Sequence, residues 1–432
     1  MKKKFLLLIC TLFISFSGYT QTLNENITQT LNSGVFENSF SGFALFDPET
    51  QEMLYEHNSA KYFIPASNMK LFTFYAGLKI LGDSIPALHY VVKNDSLIFW
   101  GTGDPSFLYE DLPESDVLKF FQSRKEKLFY MPSVVKEDAF APGWAWEDYN
   151  YSFSAERAPF PIFGNYATFI FDNKSVKPEA FPKLFQKNLQ ENFLVPKAVV
   201  RDVNSNTFFY NPFRDETWRP YRVPFIYSKE IFTELLSNLL KKPVKILQNP
   251  KEKFNSPKTI YSIPADSLYK QMLIVSDNFV AEQTLLLAAG KISGPLKSSV
   301  TINHVIENFL SKMPDEPQWV DGSGLSRYNL VTPRSMIFLL NEIRKEVPQE
   351  RLFELLPAGG STGTLKNMFN YRKPFVHAKT GTLNNNHSLS GYLVAASGKV
   401  LIFSFMNSNY VIPTREIKNK METILEAVRK EY

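Results

Sequence analysis

Residues 64–72 read "IPASNMKLF", which sets Ser67 and Lys70 three positions apart directly after Pro65. On a helix, that spacing puts both side chains on one face. A serine hydroxyl is a weak nucleophile until a base takes its proton, and a lysine that has lost its own proton can be that base. The pair could therefore run acyl transfer. The spacing also suits a bland element, with Pro65 opening a helix and Lys70 as a solvated side chain. The same pattern recurs at Ser133 and Lys136 in "PSVVK", so one S-x-x-K decides nothing by itself.

Two further motifs shift the balance. "SDN" at 276–278 is the only S-x-N in the chain, and "KTG" at 379–381 is the only K-[ST]-G. Burial, and a neighbouring cation such as Lys379, would lower the proton affinity of Lys70 enough for it to accept the Ser67 proton. Ser276 could return that proton to a leaving amine, while Asn278 holds Lys70 and a substrate amide. Lys379 and Thr380 suit an anionic carboxylate, and an edge strand at "KTGT" can pair with an extended peptide. The N–H groups of Thr382 and Ser67 would form an oxyanion hole, each donor worth roughly 3–4 kcal/mol in comparable enzymes.

Competing chemistries are weaker. "GGSTG" at 359–363 matches a nucleophile elbow, but no Asp follows Ser361 and both later histidines precede Glu416, the first Glu after it. The chain order of a Ser–acid–His triad fails, and the segment reads as a glycine-rich turn. Five histidines are present with no H-E-x-x-H and no cysteine pair, so neither a metal nor another cofactor is expected. His377 reads as a residue on a sheet face, and Trp144 and Trp146 as core.

The elements that must position these residues are legible at both ends. "GFALFDPETQEMLYEH" reads as strand, turn, strand about "DPET". "PASNMKLFTFYAGLKILG" reads as a helix closed by Gly82. "FVHAKTGTL", "SLSGYLVAA" and "KVLIFSFMNS" form three β-type runs, and the last helix spaces Ile417, Met421, Ile424 and Val428 on one face. Strands at both ends with helices between them predict an α/β sandwich whose single antiparallel sheet draws on both termini. Residues 86–215 are rich in aromatics and prolines and read as an insertion. A more helical region resumes near "YSKEIFTELLSNLL" and "DSLYKQMLIVSDNFVAEQTLLLAAG".

Composition bounds the class. The 432 residues are 44% hydrophobic, enough for two or three domains with large cores. Net charge is +5, but without Lys2, Lys3 and Lys4 the balance is 45 basic against 43 acidic residues. That argues against a nucleic-acid partner. "MKKKFLLLICTLFISFSGYT" reads as a secretory signal peptide, too short in its apolar run to span a bilayer. Cys10 is the only cysteine, so the mature chain would have no disulfide, and no integral membrane span is expected after signal removal.

The order S-x-x-K, S-x-N, K-T-G is that of the penicillin-recognising serine acyl enzymes. The chain further resembles the class C penicillin-binding proteins, the D-alanyl-D-alanine carboxypeptidases and endopeptidases of the periplasm. The likeness is carried by "GTGDPSF" (101–107), "PGWAWEDYNYSFSA" (142–155), "DGSGLSRYNLVTP" (321–333), "LPAGGSTGTL" (356–365) and the run from "AKTGTL" to "SLSGYLVAASGK" (378–399). "DGSGLSR" reads equally as a tight turn opening a helix, and "FGNYATF" (163–169) keeps Asn165 while its surroundings depart from the family pattern. The resemblance implies a β-lactamase/transpeptidase-like sandwich, an antiparallel sheet flanked by helices, with an inserted accessory domain. It divides the chain into a signal peptide (1–20), a catalytic domain (21–85 and 216–432) and the insertion (86–215).

By resemblance, Ser67 is the nucleophile and Lys70 its base. Ser276 and Asn278 make up the second motif, and Lys379, Thr380, Gly381 and Thr382 bind substrate. The implied substrate is a peptidoglycan stem peptide ending in D-Ala-D-Ala or a D-Ala cross-link, with β-lactams as covalent inhibitors. Two rivals remain: a β-lactamase on the same scaffold, for which no dedicated deacylating base is visible, and a non-catalytic cell-wall binding protein.

Overall fold

The structure is a computed structural model that describes residues 23–172, 175–213, 220–248, 254 and 256–432. The expected signal segment, residues 1–20, lies outside the described residues. The main sheet has five strands in the order Val376–Leu383, Asn386–Val394, Val400–Ser408, Phe40–Asp47, Glu52–His57. Every pairing in it is antiparallel. Its centre joins the two ends of the chain, with Phe43 opposite Phe405 and their rings 4.8 Å apart. The K-T-G strand, Val376–Leu383, is an edge strand, as its expected role in pairing with an extended peptide requires.

Helices cover both faces. The C-terminal helix Thr414–Glu431 buries Ile417, Met421, Ile424, Leu425 and Val428 against one face. Full burial of each such side chain stabilises by about 1.5–3 kcal/mol. The other face carries the helix Met69–Ile80, whose residues Met69 to Gly77 are all buried. A helix apolar all round belongs in an interior, and this one is enclosed by Ala265–Ile274, Asn278–Ser293, Ser298–Phe309 and Pro333–Glu346. Gly77 permits the close approach of Ala265–Ile274, since a Cβ there would stand 2.7 Å from the Tyr269 ring.

A second sheet has the strand order Val244–Ile246, Lys127–Tyr130, Ser96–Gly101, Ser84–Lys93, Lys258–Pro264. Two three-stranded sheets lie between residues 166 and 224. Their shared aromatic core runs from Ala87 to Val244 and includes Phe99, Phe160, Phe208 and Phe232. That core therefore takes Val223, Phe225, Phe232, Leu235, Leu236 and Val244 from beyond residue 215, where composition alone had ended the insertion. The helix Lys229–Leu240, with its Ser228 cap on Ile231 N–H, packs there. Among the described residues no helix is long and apolar enough to cross a membrane.

Candidate active site

Ser67 lies in a short 3₁₀ turn, Ala66–Asn68, that runs directly into Met69–Ile80. The turn begins with a left-handed residue, Ala66 at φ +49°, a conformation that costs a non-glycine residue about 1–2 kcal/mol. Two glycines allow the surrounding backbone to close on it. A Cβ on Gly324 would stand 1.8 Å from Ala66 O, and one on Gly381 would stand 2.4 Å from Pro65 O and 2.8 Å from Ser67 N. Gly381 of the K-T-G strand and Gly324 of the D-G-S-G loop thus clamp the serine's turn from two sides.

The fully buried Lys70 amine donates to Ser67 Oγ at 3.0 Å, to Asn278 Oδ1 at 2.6 Å and to the Ser323 carbonyl at 2.6 Å. The two shorter bonds fix the amine so that its third position faces the serine. Burial pushes Lys70 down to about 8, against the opposing pull of Asp321, Asp277 and Glu282. The lowering comes from desolvation of the charged form, and the three carboxylates keep it from going further.

The S-D-N motif occupies a break between two helices, Ala265–Ile274 and Asn278–Ser293. Asp277 starts the second helix by accepting from Val280 N–H at 3.0 Å, a capping carboxylate at a helix N-terminus. It also accepts from Gln271 Nε2 at 2.9 Å and from the Tyr109 hydroxyl. Ser276, before it, is left-handed at φ +67°. That turn lets Ser276 Oγ accept from Lys379 Nζ at 2.9 Å while Asn278 reaches Lys70. Lys379 is buried too, and its proton affinity is well below normal because of desolvation and the charge of Lys70.

The K-T-G strand is tied down along its length. Asn68 Nδ2 donates to Lys379 O at 3.0 Å, and Thr380 Oγ1 donates to Thr364 Oγ1 at 2.7 Å. Thr382 is exposed, with its hydroxyl 2.8 Å from His387 Nδ1. All eight residues singled out from the sequence thus gather in one cluster. The decoys do not join it. Ser133 donates to Gly101 O at 2.6 Å from a non-helical segment, so Lys136 is not carried onto a shared helical face. "GGSTG" is a turn, as its glycines predicted, and its neighbour Thr364 braces Thr380.

Several contributors were not singled out. Asp321, wholly buried, accepts from Trp144 Nε1 (2.8 Å), Gly324 N (2.8 Å), Ser326 N (2.6 Å) and Asn329 Nδ2 (2.7 Å). "DGSGLSR" is therefore a tight loop, and its order sets the Ser323 carbonyl under Lys70. "GTGDPSF" packs against the S-D-N helix, where Gln283 donates to Gly103 O and Ala158 O. Asn165 serves its own turn, accepting from Ile162 N–H and donating to Glu156 O. His377 stacks on Phe353 at 4.0 Å on the sheet face, as expected. Trp146 is a correction to the core assignment. Its residue is 81% exposed, because the 3₁₀ segment Trp146–Asn150 turns that ring outward, whereas Trp144 is half-buried and bonded to Asp321. Beside these residues a groove of about 540 Å³ runs past Thr382, lined by Asp148, Phe153, Arg327 and Tyr410 among others. Among the described residues no group of His, Cys, Asp and Glu is placed to hold a metal ion.

Comparison with known proteins agrees with this fold. The chain is 26% identical to D-alanyl-D-alanine carboxypeptidase DacB of Haemophilus influenzae, covering 98% of this chain and 96% of that protein. It is 25% identical to penicillin-sensitive carboxypeptidase A of Dictyostelium discoideum, over 86% of this chain and 82% of that protein. The crystal structure of penicillin binding protein 4 (dacB) from Haemophilus influenzae has the same fold, with a TM-score of 0.75 at 21% identity, covering 94% of this chain and 99% of that one. Residues 23–191 and 214–430 match the D-Ala-D-Ala carboxypeptidase 3 (S13) family. With a match over most of its length and the three motifs gathered in one site, the chain belongs to the D-Ala-D-Ala carboxypeptidase 3 (S13) family of serine peptidases.

Proposed function

We propose that this protein is a serine-type D-alanyl-D-alanine carboxypeptidase and endopeptidase that cleaves peptidoglycan stem peptides through an acyl-enzyme on Ser67. The observation that carries this reading is the buried, partly discharged Lys70, held by Asn278 and Ser323 with its third position on Ser67 Oγ.

In this account Lys70 takes the Ser67 proton as Oγ attacks the carbonyl of the penultimate D-Ala. The N–H groups of Ser67 and Thr382 hold the oxyanion. Ser276, bonded to Lys379, gives its hydroxyl proton to the departing amine and is reprotonated by the proton Lys70 took from Ser67, which leaves Lys70 neutral again. Lys379 and Thr380 receive the terminal carboxylate, and Asn278 receives the substrate amide. Water then attacks the ester and releases Ser67. β-Lactams, whose strained amide mimics the scissile bond and whose carboxylate suits Lys379, would acylate the same serine and leave slowly. We also propose a periplasmic location, which a peptidoglycan substrate and the N-terminal segment read as a signal peptide support. We further propose that the catalytic unit is formed by residues 23–83 and 265–432, with the segment between them as the accessory insertion.

The test is release of D-Ala from a pentapeptide ending in D-Ala-D-Ala. Wild-type protein releases it and Ser67→Ala does not. Folded wild-type protein that releases none, and takes up no penicillin, would leave the wall-binding alternative standing, and fast drug turnover would favour the β-lactamase.

A further inference from the structure

One buried acid at this site has no part in the mechanism above. Glu282 is 1% exposed and sits one helical turn after Asn278 on the same helix. Its Oε1 accepts from Ser323 N–H at 2.7 Å. The carbonyl of that same residue, Ser323, accepts from Lys70 Nζ at 2.6 Å. Glu282 and Lys70 are therefore joined through a single residue, with the acid gripping its amide and the catalytic amine gripping its carbonyl.

The other end of Glu282 faces the insertion. Among the described residues its Oε2 has no hydrogen-bond partner, and it stands 3.6 Å from the guanidinium of Arg157. The Arg157 side chain is itself only 2% exposed, is 3.0 Å from Glu137 and donates to Asp138 O at 2.7 Å. Glu137 in turn accepts from the backbone N–H and hydroxyl of Ser298, both at 2.9 Å. A carboxylate is costly to bury unless paired. Here one oxygen supports the residue that holds the lysine, and the other faces a buried guanidinium.

We infer that Glu282 is a positioning residue for the acylation step: it fixes the Ser323 carbonyl that aims Lys70 at Ser67, and Arg157 holds it there from the inserted segment. The inference rests on the proposed role of Ser67 and Lys70. The charged groups facing Glu282 are Asp321 from the D-G-S-G loop, Lys70 from the nucleophile helix, and Arg157, itself paired with Glu137, from the insertion, while Asp277 at the start of its own helix faces Lys70. Desolvation and the charge of Asp321 push Glu282 up to about 7, while Arg157 pulls the other way. Its negative charge raises the proton affinity of Lys70. Loss of that charge frees the lysine of its proton at lower pH.

The experiment is the second-order rate of acylation by a fluorescent penicillin between pH 5.5 and 9.5 for wild type, Glu282→Gln, Glu282→Ala and Arg157→Lys, with thermal unfolding and titratable active sites measured on each sample. Glu282→Gln keeps the acceptor for Ser323 N–H and removes the charge. Its plateau rate should stay within about fivefold of wild type, and the rising limb should move to lower pH by about one unit. Glu282→Ala loses the acceptor, and its plateau per titratable site should fall by at least about tenfold. Arg157→Lys retains a cation, so should keep the wild-type limb with a smaller loss. A Glu282→Gln limb that coincides with wild type, or a Glu282→Ala plateau within threefold of it, overturns the inference. Wild-type protein that takes up no label overturns the acyl-enzyme reading instead.

Discussion

Replacing Gly381 by alanine tests whether the K-T-G strand must press directly on the serine's turn. The new Cβ would stand 2.4 Å from Pro65 O, 2.8 Å from Ser67 N and 2.9 Å from Asn68 Nδ2, where ordinary contacts begin near 3.4 Å. Two of those three atoms are backbone and cannot swing away. Strand and turn must therefore part by about 1 Å, which is the difference between the observed and ordinary contacts to Pro65 O. Overpacking of this kind costs about 1–3 kcal/mol of stability. The larger effect falls on rate, because the gap opens between Ser67 and the strand that carries Thr382, the two proposed oxyanion donors. A misplacement of about 1 Å costs roughly 100-fold, equivalent to about 2.7 kcal/mol of transition-state stabilisation. Stopped-flow acylation with a fluorescent penicillin would measure it, alongside thermal unfolding to show that the variant is folded. A folded Gly381→Ala protein that acylates within threefold of wild type would refute the clamp.

Two further outcomes follow from the electrostatics. Lys70 acts as a base only when neutral, and burial lowers it to about 8, so acylation should rise with pH to a midpoint near 8 and fall about tenfold per unit well below it. Stability shifts in the same direction. Between about pH 8 and 10.5 the unfolded chain holds this proton and the folded chain does not, so raising pH through that window stabilises wild type relative to Lys70→Met. Matching urea titrations would show it, and a flat difference would count against a discharged lysine. Asp321→Asn should be destabilised by about 2–4 kcal/mol, because an amide NH₂ would replace one of two oxygens that each face at least two N–H donors. Its midpoint in denaturant reports this, and a change under 0.5 kcal/mol would contradict the arrangement of donors around Asp321.

How far the sequence carries depends on the range of each interaction. The terminal strands, the "DPET" turn and the C-terminal helix carry their own periodicity, and each stands where local pattern puts it. Motif chemistry was equally legible, since S-x-x-K, S-x-N and K-T-G name both residue types and spacing. Long-range pairings leave no such local trace. Lys258–Pro264 joins Ser84–Lys93 across more than 160 residues, so no change of composition near 215 could announce where the second core ends. Asp321 and Glu282 are acids in ordinary-looking segments, and only folding shows that both are buried beside Lys70. Trp146 misled for the opposite reason: an aromatic usually earns burial, but its irregular 3₁₀ segment has no buried face to give it.

The most direct test of the whole account is to locate the covalent label. Protein treated with penicillin would be digested and its peptides mapped by mass spectrometry, with Ser67→Ala and Ser133→Ala treated in parallel. The account predicts one penicilloyl adduct, on Ser67, absent from Ser67→Ala and unchanged in Ser133→Ala. An adduct on any other residue, or one that persists in folded Ser67→Ala, would contradict it.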